Sequence, residues 1–258
     1  MRPRDAPRHD FLSMVGAARR AMIDAVDAEH AMPYEWSHAA EEQRHAGGTA
    51  FGPHRHRHAY AALVVDGSYH EVSADGRYLC TPGTLILHPA HHGHDNLIER
   101  GGARTISFPL GAAADEYQDY AVYRSSDSAA LLRLARRSLR EAIAALPQLS
   151  KTRAEEVTTP PWCRAFAQAL REGRGCFDLP VSREHASRQF HRHYGLTPRA
   201  YRAEWRMRRA LQLLRTPDPL ADVAADAGYA DQSHLTRELR RATGCTPKAL
   251  RAHASRTF

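Results

Sequence analysis

The segment "DPLADVAADAGYADQSHLTRELRRATGCTPKALR", residues 218–251, constrains the fold more than any other stretch of this chain. Leu220, Val223, Ala224 and Ala227 recur at helical spacing, Gly228 stands where a helix ends in a left-handed residue, and Leu235 and Leu239 begin a second apolar stripe. The spacing predicts helix, tight turn, helix. Ala224, Ala225 and Ala227 are small enough for two helices to approach closely, and the second helix keeps Gln232, Ser233, Thr236, Arg237, Arg240 and Arg241 on its free sides. That side-chain set suits a DNA major groove, where Gln and Arg match adenine and guanine edges and the rest can bind phosphate. For any single one of them, a solvated helix face or a phosphate contact is the plainer alternative.

A weaker copy lies upstream. "VSREHASRQFHRHYGLTPRAYR", residues 181–202, aligns with residues 229–251 so that Arg188 meets Arg237, Gly195 meets Gly244, Thr197-Pro198 meets Thr246-Pro247, and Arg202 meets Arg251. Between the copies, "YRAEWRMRRALQLLRT" reads as one long helix with Trp205, Leu211 and Leu214 inward and its arginines outward. Two heads on one rod would meet successive major grooves on one face of DNA, roughly 34 Å apart.

Charge agrees with this placement. Residues 160–258 hold 18 Lys+Arg against 9 Asp+Glu, a net +9, which leaves −2 for residues 1–159. A domain so positive invites a polyanion, because neutralised phosphates release condensed counterions. The four cysteines, Cys80, Cys163, Cys176 and Cys245, form no C-x-x-C and fit reduced thiols better than disulfides or a zinc ribbon. No run of about 18 apolar residues and no secretory signal pattern is present, so the reading is a cytoplasmic protein with no membrane partner.

The two copies resemble the DNA-binding region of the AraC/XylS transcriptional regulators over roughly residues 160–253. The resemblance implies that the second helix of each copy is a recognition helix, with base-facing candidates Gln232, Ser233, Thr236 and Arg237 in one and Glu184, Ser187 and Arg188 in the other. It also implies promoter DNA as partner, with RNA polymerase and a second copy of the chain as further candidates; an activator is one reading, and the sequence leaves activation or repression open. Two departures stand out. The family has a full scaffold helix before the first recognition helix, whereas "REGRGCFDLPVS" offers about ten residues with two glycines and a proline, so "WCRAFAQAL" must support that head or the head is weak. Ala230 stands where the pattern often has a capping Ser, a loss that Asp231 can repair.

Upstream, from about residue 48 to 110, short β-like runs alternate with turn residues. "AYAALVV" ends at Asp66-Gly67, "SYHEV" ends at Asp75-Gly76, and "RYL", "TLILH" and "ARTISFPL" follow. Asp-Gly between such runs predicts hairpins, and strands at this spacing predict a small antiparallel barrel or sandwich. Residues 127–146 then read as one helix capped by Asp127, with Leu131, Leu134, Leu139, Ile143 and Leu146 on one side. Residues 147–161 read as a linker. An amphipathic helix around Phe11–Val26 is expected in the N-terminal extension, without a readable role.

The β region also concentrates histidine: eight of the 17 lie between His54 and His94. Gly48, five residues, His54-x-His56, three residues, Tyr60, six residues and Gly67 resemble the first cupin motif, and Gly83, Pro89 and His94 echo the second. Cupins are small β-barrels, and AraC-type regulators commonly carry one as a ligand-sensing half, so the two resemblances support each other. Metal cupins use two histidines, a glutamate and a third histidine. Here His54, His56 and His94 match, but Tyr60 occupies the glutamate position. Three imidazoles can hold a divalent metal, so a His54/His56/His94 ion site stays open beside a pocket of His54, His56, Tyr60 and His94 for an organic effector. His58 falls between ligands but points inward by strand parity, and His88, His91 and His92 read as rim or solvated loop residues.

The resulting expectation is an α+β two-domain chain: an uncertain extension 1–47, a cupin-like antiparallel barrel 48–126, a helix and linker 127–159, and an all-α double helix-turn-helix unit 160–258. Its function would be ligand-responsive, sequence-specific DNA binding, without catalysis. The rivals are a metal-dependent cupin dioxygenase or isomerase with a basic accessory domain, and an effector-independent regulator with a degenerate barrel.

Overall fold

A computed structural model describes residues 41–111, 114, 118–125, 127–145, 152–153, 157–174 and 178–254. The helix expected around Phe11–Val26, and Cys176, lie outside the described residues. Among the described residues eight strands form one antiparallel sheet: β1 (Glu41–His45), β2 (Ala50–Arg55), β3 (Tyr60–Ser73), β4 (Gly76–Cys80), β5 (Thr84–His88), β6 (Gly93–Pro109), β7 (Ala121–Arg124) and β8 (Thr152–Arg153).

The two long strands, β3 and β6, pair along nearly their whole length and divide their flanks between two sets of neighbours. Residues 60–63 of β3 lie between β5 and β6, and residues 69–73 lie between β4 and β6; β6 meets β2 with its first half and β1 with its second. The sheet therefore folds over. Tyr60, Ala62, Val64, Ile86 and Val122 from one half share an apolar core with Tyr69, Cys80 and Ile98 from the other. The alternate residues Ala61, Leu63, Leu85, Leu87, Ile106 and Phe108 pack outward against Leu131, Ala135 and Ala142 of two helices, α1 (Ser128–Arg137) and α2 (Leu139–Ala145). This period-two division is what the apolar runs in β3 and β5 require, since both faces are covered.

Three expectations need correction here. Asp66-Gly67 is no hairpin: β3 runs straight through it, with register shifts at Val64/Asp66 and Gly67/Tyr69. Gly67 is left-handed (φ +67°) and a β-carbon there would collide with the Gly102 carbonyl, so the glycine serves a bulge and a close strand approach. The Asp75-Gly76 expectation holds, with Ser73 pairing Gly76 across the turn between β3 and β4. The helix over 127–146 is two helices. Asp127 caps the first, accepting the Ala130 N–H at 2.7 Å, but Ser138 is extended (φ −154°) and its hydroxyl accepts the Glu141 N–H at 3.3 Å, restarting the chain as α2. The described part of the linker is held, too: Tyr123 pairs Arg153, and the Val157 N–H reaches the Arg77 carbonyl at 2.8 Å.

The C-terminal helices are α3 (Pro161–Arg171), α4 (Arg183–Tyr194), α5 (Pro198–Leu213), α6 (Leu220–Asp226), α7 (Gln232–Thr243) and α8 (Pro247–Ala254). The repeated Gly-x-Thr-Pro motif now has a physical meaning. Gly195 and Gly244 end α4 and α7 at φ +66° and +70°; the Thr197 and Thr246 hydroxyls accept the Ala200 and Ala249 N–H groups at 3.2 and 3.1 Å; and each proline opens the next helix. Two cores result. Cys163, Ala167, Phe190, Tyr194 and Tyr201 form the first, while Met207, Ala210, Leu214, Val223, Ala224, Leu235 and Leu239 form the second, with α5 contributing to both. Among the described residues between α3 and α4 none is helical, and it is α3 that supports the first head.

Candidate nucleic-acid interface and histidine cluster

Each copy presents one exposed helix face. In α7, Leu235 and Leu239 are fully buried and fix the helix, which leaves Gln232, Ser233, Arg237, Arg240 and Arg241 exposed. Asp231 supplies the cap missing at Ala230, accepting the His234 N–H at 2.7 Å. Thr236 is half-buried and its hydroxyl donates to the Gln232 carbonyl at 2.8 Å, and Arg241 is ion-paired with Glu238 at 2.7 Å. In α4, Ala186, Phe190 and Tyr194 are buried, and Glu184, Ser187 and Arg188 are exposed. The C-terminal end of α4 is covered, because Gly195 sits against Val72 of β3.

The folded sheet gathers the histidines. His54 of β2 pairs directly with His94 of β6, with ring centroids 4.2 Å apart, and the His56 ring lies 4.7 Å from Tyr60. The Tyr60 hydroxyl is 3.2 Å from His94 Nε2. All four residues proposed for a pocket are thus adjacent. His58 does not join them: β2 ends at Arg55, strand parity stops there, and His58 is exposed. His88, His91 and His92 are the opposite correction, since all three are buried. His88 stacks on Tyr60 and His92 on Tyr120, at 4.4 Å each, with His88 at the end of β5 and His92 in the loop just before β6.

Burial governs protonation throughout. It lowers the pKa of His54, His88, His92 and His94, most strongly at His88 and His94, and it lowers His56 to about 4 with help from His54 and His92. Buried Tyr60 is held well above its usual value and remains a phenol, so it cannot replace the glutamate's charge. Glu71, fully buried with Oε2 3.5 Å from His88 Nε2, is raised to about 8.

An ion network unread in the sequence joins this cluster to α5. Asp75 Oδ2 accepts from His92 Nε2 at 2.9 Å and from Arg208 Nη1 at 2.8 Å. Arg208 Nε donates to Glu204 Oε1 at 2.9 Å, and Glu204 is clamped by Arg55, the residue between His54 and His56. Burial would raise the carboxyls of Asp75 and Glu204, but Arg208 with His92 on one and Arg55 with Arg208 on the other hold both below their ordinary values. Arg208 is therefore not outward, contrary to the expectation for α5. The available signal was Glu204 and Arg208 at i and i+4, an acid on an otherwise basic helix.

Acidification should expose this burial. Histidines neutral in the fold bind protons only after unfolding, so their contribution is complete above about pH 6.5 and is lost progressively below it. Glu71 acts in the opposite sense, keeping a proton that the unfolded chain releases above about pH 4.5. Five histidines outweigh one carboxyl. The urea midpoint of chelator-treated protein is expected to fall across this interval, and a constant or rising midpoint would contradict buried neutral histidines.

Residues 176–253 match a family described as a helix-turn-helix domain. Over 59 residues, 22% of this chain, it is 44% identical to the HTH-type transcriptional regulator ExsA of Pseudomonas aeruginosa, covering 21% of that protein. The thermoregulatory protein LcrF of Yersinia pestis is 42% identical over 59 residues, 22% of each chain. The chain thus matches about a fifth of the length of these curated relatives. A crystal structure of ToxT from Vibrio cholerae O395 aligns over 84% of this chain and 97% of its own at 10% identity, with a TM-score of 0.37. No helix among the described residues is long and apolar enough to cross a membrane.

Proposed function

We propose that the chain is a cytoplasmic, ligand-responsive, sequence-specific DNA-binding transcriptional regulator, with residues 48–126 as sensor and 160–258 as DNA-binding unit. The observation that carries this reading is the duplicated helix-turn-helix with an exposed Gln/Ser/Arg face on α7, in the part of the chain that holds all of the excess positive charge. Gln232, Ser233, Thr236 and Arg237 read base edges, Arg240 and Arg241 hold phosphate, and Glu184, Ser187 and Arg188 form the second contact. His54, His56, Tyr60 and His94 line the effector pocket.

Regulation is a population shift. An effector bound among the histidines shifts β2 and the β3–β4 turn, which carry Arg55 and Asp75, and so biases how α5 is held. Promoter DNA is the partner; RNA polymerase and a second copy of the chain are the further partners this reading admits, with activation as the direction. Tyr60, a phenol where metal cupins have a carboxylate, weighs against the dioxygenase or isomerase reading.

Anisotropy titration of the full chain on the DNA upstream of its own gene tests the proposal. Binding is expected to weaken steeply with salt, and Arg237→Ala to cost about 1–3 kcal/mol, or about 5- to 150-fold in affinity. Absent or salt-independent binding overturns it.

A further inference from the structure

A second group of three histidines is buried deeper than the pocket set. His88, His92 and His94 are 1%, 3% and 2% exposed, and each offers a ring nitrogen such that all three nitrogens lie within 4.8 Å of one another. Two of those nitrogens are unusually placed. His88 Nδ1 and His92 Nδ1 face each other at 3.5 Å. The other nitrogen of each ring points at a carboxyl: His92 Nε2 at Asp75 Oδ2 (2.9 Å) and His88 Nε2 at Glu71 Oε2 (3.5 Å). Asp75 as a carboxylate only accepts, so His92 Nε2 donates and leaves its Nδ1 as a bare lone pair facing His88 Nδ1. A proton on His88 Nδ1 or a cation must satisfy that lone pair. The separation suits a cation, since two nitrogens at about 2.0–2.1 Å from a tetrahedral ion stand about 3.3 Å apart, whereas 3.5 Å is beyond a good N–H···N bond.

The geometry points to a binding site for one divalent transition-metal ion of the zinc class at His88, His92 and His94, with Asp75 as the outer carboxylate that passes its occupancy to Arg208. The pocket trio His54, His56 and His94 shares only His94 and lacks what this group has, an ionised carboxylate, Asp75, on one of its rings. A carboxylate behind a ligating histidine fixes its tautomer and strengthens it as a donor. Here that carboxylate is also an Arg208 partner, so an ion on His92 draws on the same Oδ2 that holds α5. The inference deepens the regulator reading by naming an effector class, but its site stands on its own.

The test is a titration of chelator-treated full chain with Co²⁺, followed by its visible absorption and by competition with Zn²⁺. One equivalent is expected to bind; His88→Gln and His92→Gln are each expected to abolish uptake, while His54→Gln retains it. Asp75→Asn is expected to weaken affinity about 10- to 100-fold. It covers the case in which a histidine variant does not fold, because an unchanged affinity in that variant counts against the site. No uptake by the wild type, or uptake that depends on His54 and His56 but not on His92, overturns the proposal. Uptake is read without DNA, so a chain that binds Co²⁺ in this way and ignores promoter DNA would sink the regulator reading and leave the metal site intact.

Discussion

Arg208→Ala is expected to cost the full chain about 3–5 kcal/mol of unfolding free energy, because it strips one partner from the buried Glu204 carboxylate and the half-buried Asp75 carboxylate at once. Asp75 keeps His92 and Glu204 keeps Arg55, but neither remaining contact replaces the guanidinium that bridged them. The Arg208 side chain is only 16% exposed, so solvent does little to screen the loss. Urea unfolding measures it. A double-mutant cycle with Asp75→Asn should give a coupling above about 0.5 kcal/mol, since the two residues share one bond. Additive effects, or a loss under about 0.5 kcal/mol for Arg208→Ala alone, would mean that the network holds nothing together.

Phe190→Ala is expected to be as damaging, at about 3–5 kcal/mol, through a different mechanism. The ring is fully buried at the centre of the first helix-turn-helix core, with Tyr194, Tyr201 and Phe166 centroids at 4.8, 5.0 and 5.3 Å. Removing it opens a cavity walled by rigid rings that collapse poorly into the space. Thermal unfolding followed by near-ultraviolet circular dichroism checks the loss. The second core shares only α5 with the first, so the signature is loss of aromatic signal ahead of helical signal; a shift under about 1 kcal/mol would show that the first head does not depend on this core.

The helical half was legible because its rules are local. Gly195 and Gly244, Thr197-Pro198 and Thr246-Pro247, and Asp231 each act on the backbone within a few residues, so spacing alone placed them. The grouping of His54, His56, Tyr60 and His94 in space was legible where motif spacing fixed it. Failures came where pairing partners decide. Asp66-Gly67 carries the chemistry of a hairpin, but the matching Gly102 on β6 turns it into a bulge, a fact 35 residues away in sequence. His58 was assigned by parity to a strand that ends three residues earlier. His88 closes the apolar run of β5 and His92 follows in a histidine-rich loop, and both are buried where Tyr60, Tyr120 and Asp75 converge on them. Arg208 looked like any other arginine on a basic helix until the β3–β4 turn was set against it.

The helix between the two heads carries a consequence of its own. α5 runs for 16 residues without interruption and packs into both cores, so the heads are joined by a rigid screw. Each residue of an α-helix advances about 1.5 Å and turns about 100°. One residue gained or lost in α5 would therefore swing one exposed face by more than a quarter turn against the other. The length of this helix is in effect an inherited phase, fixed as firmly as any side chain on either face.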